Sequence, residues 1–103
     1  MNLKDLTKEQ AIEIAKLVYG FPDYIKSDFE VKYQPYDETM YEDAREVIKI
    51  FFDAIVCGDT VKKIMVEICP NSDCWVYYIE DMAHSLPTRN QKLVQKKLIE
   101  FNF

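Results

Sequence analysis

"VKKIMVEICPNSDCWVYYIE", residues 61–80, is the stretch on which the fold turns. Two runs rich in β-branched and aromatic residues flank Pro70-Asn71-Ser72-Asp73, a cluster of turn formers, so the segment reads as two antiparallel strands joined by a turn. A tight connection at Asn71-Ser72 sets Cys69 opposite Cys74, Ile68 opposite Trp75, Val66 opposite Tyr77 and Ile64 opposite Ile79. Opposing residues share a face. One face of this hairpin is therefore wholly apolar and belongs under a helix, while Tyr78 points the other way with Met65, Glu67 and Val76.

Working toward the N-terminus, "EVIKIFFDAIV" at 46–56 supplies a preceding strand that ends at Cys57-Gly58-Asp59-Thr60. A plain two-residue turn at Gly58-Asp59 would set Phe52 against Met65 and mix the two faces. An odd-residue loop or a bulge near Gly58 keeps Ile48, Ile50, Phe52 and Ala54 on the apolar face, and the bulge is the expected form. Phe51, Val47 and Ile55 then join the outer face. Phe29, Val31 and Tyr33 alternate with Glu30, Lys32 and Gln34 before Pro35, which makes a first, half-buried strand.

Two helices close the ends. In "LTKEQAIEIAKLVYG", residues 6–20, Thr7 and Gln10 have the form of a capping box, Ala11, Ile14, Ala15 and Val18 recur at helical spacing, and Gly20 with Pro22 stops the helix. After a loop holding Ala83, His84 and Ser85, "LPTRNQKLVQKKLIEFNF" at 86–103 places Val94, Leu98 and Phe101 on one stripe, widened by Leu93. The expected fold class is α+β: an N-terminal helix, a four-stranded antiparallel meander and a C-terminal helix, with both helices on one sheet face. Residues 1–103 form one domain, since a chain of this length supports one core.

Composition removes several roles. A net charge of −5 opposes general binding to nucleic acid or to an anionic membrane, both of which require excess lysine and arginine at the contact. No apolar run nears the roughly 18 residues that span a bilayer, and the first residues lack a signal-peptide pattern, so a cytoplasmic protein is expected. Three cysteines without a secretion signal read as reduced thiols. With Gly20 and Gly58 the only glycines, no phosphate-cradling glycine loop exists.

Catalytic and metal readings are weak. Cys57, Cys69, Cys74 and His84 make a Cys₃His set by count, but the meander puts the hairpin cysteines at the opposite end from Cys57 and His84, and no C-x₂-C pair is present. His84, the single histidine, lies near Asp81 and Ser85, yet triads are set by the fold and not by sequence proximity. No catalytic residue, metal ligand or cofactor is assigned. A pocket between sheet and helices for a small molecule or nucleotide is the first alternative role, and a homodimeric structural component is the second.

The leading expectation is a non-enzymatic binding protein. Residues 23–59 hold ten acids against four bases, and "YDETMYEDAR" at 36–45 concentrates them around tyrosines. Tyr36, Asp37, Glu38, Tyr41, Glu42 and Asp43 are thus candidate contacts for a basic protein, since such a field steers association and the rings offer apolar anchors. The outer sheet face, with Phe51, Met65, Val76 and Tyr78, is the second candidate surface, because an apolar patch there is atypical of a solvent face. The two terminal segments quoted above, on either side of an aromatic-rich meander, resemble small uncharacterised proteins of phages and mobile elements in Bacteroides-type gut bacteria. That resemblance implies a genomic setting in which small acidic proteins inhibit host defence or nucleic-acid-handling proteins; it carries no functional motif and no site residue.

Overall fold

The computed structural model describes residues 3–35, 39, 46–68 and 75–102. After a 3-10 turn at Leu3–Asp5, α1 spans Lys8–Tyr19. Its start is fixed by a reciprocal pair of hydrogen bonds: the Gln10 amide donates to Thr7 Oγ1 at 3.1 Å and the Thr7 amide to Gln10 Oε1 at 3.0 Å. Its end is fixed by Gly20, whose φ of 81° a side chain opposes and whose N–H reaches the Lys16 carbonyl.

Among the described residues five strands follow in sequence order, β1 (Glu30–Gln34), β2 (Val47–Cys57), β3 (Thr60–Ile68), β4 (Val76–Ile79) and β5 (Met82–Ser85), and each pairs antiparallel with the next. Helix α2 (Thr88–Glu100) ends the chain. The class is α+β with the helices on one face, but the meander has one strand more than the sequence indicated. Ala83, His84 and Ser85, expected in a loop, belong to β5, which pairs with β4 from Ile79↔Met82 to Val76↔Ser85. The turn before it is made by Glu80 at φ 56° and Asp81 without glycine or asparagine, which is why no hairpin signature marks it.

The expected register is present. Ile55 pairs with Val61 but Cys57 with Thr60, so Val56 is the extra residue of a bulge, and Phe52 consequently faces Ile64. Gly58 takes φ 60° at the first turn position, as a II′ hairpin turn requires. Val66↔Tyr77 and Ile64↔Ile79 pair as the hairpin reading demanded.

On the inner face Ile50, Ile64, Val66 and Ile68 are fully buried beneath α1, whose Ala11, Ile14, Ala15 and Val18 form the matching stripe. Helix α2 packs alongside α1 and adds Val94 and Leu98 to the same cluster, with Trp75 closing one end. Leu93 does not widen that buried stripe: at 42% exposure it faces the groove between the helices. Among the described residues no helix is long and apolar enough to cross a membrane.

Candidate functional site

Strand parity creates two surfaces, and among the described residues only one of them carries helices. On the other, Glu30, Phe51, Met65, Tyr78 and Ala83 form one row across all five strands through the pairs Glu30↔Phe51, Phe51↔Met65, Met65↔Tyr78 and Tyr78↔Ala83. Phe51, Met65, Val76 and Tyr78, the four outer-face candidates, therefore come together on one face, and all are half-buried. The Lys32 ammonium lies 5.5 Å from the centre of the Phe51 ring, a spacing that suits a cation over an aromatic face. The rest of the face is balanced in charge, with Lys32, Lys49 and Lys63 against Glu30, Asp53 and Glu67.

The acidic candidates Tyr36, Asp37, Glu38, Tyr41, Glu42 and Asp43 lie outside the described residues, as do Cys69 and Cys74. At the margin of that segment Glu46 is described. It accepts a short hydrogen bond from the Tyr33 hydroxyl, which holds the Tyr33 phenol above its ordinary pKa. Cys57 is exposed at the β2–β3 hairpin. Among the described residues no three His, Cys, Asp or Glu side chains are grouped to hold a metal ion.

Two concavities were not legible in the sequence. The larger, about 620 Å³, is the groove between the helices, where Lys16, Arg89 and Lys97 face Glu13 over Leu17 and Leu93. Lys97 is engaged by Glu100 at 3.1 Å, which raises its pKa.

The smaller, about 410 Å³, opens where α1 stops short of the end of the sheet. A backbone bridge between Ile25 and Ala54, reinforced by Lys26 N–H to the Asp53 carbonyl at 2.8 Å and Asp53 N–H to Ser27 Oγ at 2.7 Å, ties the segment after α1 to the free flank of β2. This brings Phe21 and Tyr24 beside Tyr19, Tyr77, Ile79 and the bulged Val56. Tyr19 sits at the centre of the cluster, edge-on to Phe52 at 5.3 Å, Tyr77 at 5.4 Å and Phe21 at 5.6 Å. His84 stacks on Tyr77 with its ring tilted by only 10°. Loss of water around their rings pushes the Tyr19 and Tyr77 phenols upward in pKa, and for Tyr19 the neighbouring Tyr77 and Tyr24 add to the effect. The one available signal was the aromatic character of Phe21 and Tyr24 around the Gly20-Pro22 helix stop, a place where polar residues are usual.

No protein-family model matches the chain, and neither a curated protein nor a solved structure does so.

Proposed function

We propose that this chain is a non-enzymatic binding protein whose contact is with another protein, made through the outer face of the sheet. The observation that carries this reading is the row Phe51, Met65 and Tyr78, apolar across three central strands on the face that bears no helix among the described residues. A sheet face left to solvent favours polar side chains, and an apolar one gains free energy when a partner removes it from water. The net charge of −5 supports a basic partner, and the resemblance to mobile-element proteins supports a host defence or nucleic-acid-handling protein. The acidic segment 36–43 then adds long-range attraction, whereas the outer face supplies the desolvated contact.

Affinity capture with the intact chain, at low and at high salt, tests this when paired with variants. Met65→Lys together with Tyr78→Lys should abolish capture while circular dichroism stays unchanged. Charge reversal at Glu38, Glu42 and Asp43 should weaken it at low salt only. Retention of the same partner by the lysine variant would remove the outer face from the reading. The balanced charges of that face favour a second copy of this chain as the alternative occupant. Sedimentation over a wide concentration range separates the two, since a strict monomer has no use for a self-complementary face.

A further inference from the structure

We propose that the cavity beyond the end of α1 is a binding site for an uncharged, planar aromatic small molecule with a hydrogen-bonding edge, gripped by the hydroxyls of Tyr19 and Tyr77. The cavity is walled by Tyr19, Phe21, Tyr24, Val56, Tyr77 and Ile79, and no charged side chain lines it. A volume of about 410 Å³ with mostly apolar walls and a few polar atoms lies in the ordinary range for small-ligand sites. An ionic ligand would give up its hydration there without a counter-charge, so the occupant is neutral. Aromatic walls favour a ring, which can take edge-to-face positions among them as Tyr19 already does with Phe21 and Tyr77.

The polar requirement comes from Tyr19. Its side chain is only 4% exposed, yet its hydroxyl has no hydrogen-bond partner among the described residues. Since no fully enclosed side-chain N or O atom among them lacks a partner, that hydroxyl must still be open to a molecule arriving from outside, and Tyr19 lines this cavity. Tyr77 lines the same cavity, and its hydroxyl too has no hydrogen-bond partner among the described residues. Two phenols that each donate and accept match a carboxamide or lactam edge on the ring. The site does not depend on the outer-face reading, because Tyr19, Tyr77 and Ile79 belong to the inner face.

Benzamide and benzoate, which share a shape and differ in charge, are suitable probes. His84 is the only histidine and stacks on Tyr77, so its imidazole proton resonance reports occupancy without assignment of the rest of the spectrum. Titration with benzamide should shift that resonance saturably, and benzoate should bind at least about tenfold more weakly. Tyr19→Phe and Tyr77→Phe retain the rings and should each weaken benzamide by about tenfold, the loss expected for one hydrogen bond. Val56→Phe, at the exposed bulge, should fill the cavity and abolish the shift while the fold persists. A linear shift over the whole solubility range, equal binding of benzoate, or full binding by both phenylalanine variants would each overturn the proposal.

Discussion

Ile50 and Phe51 are neighbours in the chain and lie on opposite sides of one sheet. Ile50 is fully buried against α1, and Phe51, in a row just as apolar with Met65 and Tyr78, is only half-buried. Part of the difference lies in the strands, whose outer face alternates that apolar row with Lys32, Lys49, Lys63, Glu30, Asp53 and Glu67, and part in what covers them. Helix α1 carries two alanines, Ala11 and Ala15, in its buried stripe, and such small side chains let a helix axis come close to the pleat. No described element offers the outer face a comparable stripe. Burial is thus a property of the pair of surfaces and not of one face alone.

Truncation across this boundary should give the largest effect. Ile64→Ala opens a cavity under α1 and should cost about 3 kcal/mol, within the usual range for such core deletions. Met65→Ala, one residue on and half-exposed, should cost about 1 kcal/mol or less. Urea denaturation of the two variants measures the contrast. Equal losses would mean that the outer row is covered as thoroughly as the inner one, and the protein-contact reading would lose its support.

The limit of the inner cover depends on Gly20, and a second glycine gives the control. At Gly20 an added Cβ meets both a φ of 81° and Asn90 Nδ2 at 2.8 Å, so α2 has to move its Asn90 side chain as the backbone strains. At Gly58 φ is 60° but the added atom meets nothing. Asn90 Nδ2 is the free end of a side chain that can swing aside, so Gly20→Ala should cost only a little more than Gly58→Ala, each about 1 kcal/mol for the left-handed backbone. Asparagine tolerates that backbone and should recover stability fully at residue 58 and less completely at residue 20. Equal recovery at both positions would show that the approach of α2 to the end of α1 contributes nothing.

Much of this arrangement was legible because parity is unforgiving in a sheet. An odd-residue loop or a bulge near Gly58 is needed to keep Phe52 and Ile64 on one face, so the parity of β2 against β3 followed from the hydrophobic pattern, and the bulge at Val56 is what supplies it. The outer-face residues followed from the same parity. The fifth strand did not, since Met82–Ser85 has no alternation of its own and its pairing depends on Glu80 adopting a backbone that sequence does not announce. The aromatic cavity was equally hidden. Tyr19 reads as part of a helix stripe, Phe21 and Tyr24 as a helix stop, Val56 and Tyr77 as strand residues, and only the Ile25–Ala54 bridge joins them. Local patterns reveal faces, whereas a site assembled from four elements becomes visible only when the tertiary contacts are known.

The smallest expected effect concerns the tyrosines at the rim of the inner face. Tyr19 and Tyr77 have folded-state pKa values raised above 10.0 chiefly by desolvation, and Tyr33 has one raised chiefly by its hydrogen bond to Glu46. In the unfolded chain each ionises near its ordinary value, while in the folded chain each holds its proton to higher pH. Unfolding therefore releases protons above pH 10, and stability, flat below that point with respect to these groups, should fall as pH rises through the folded values. Tyr19→Phe and Tyr77→Phe should each remove part of that slope, and Glu46→Gln should remove the part due to Tyr33. Denaturation midpoints on the alkaline side, followed together with phenolate absorbance, measure this directly. If Tyr19→Phe leaves the slope unchanged, its ring is wet in the folded protein, and the inner face ends before the aromatic cluster begins.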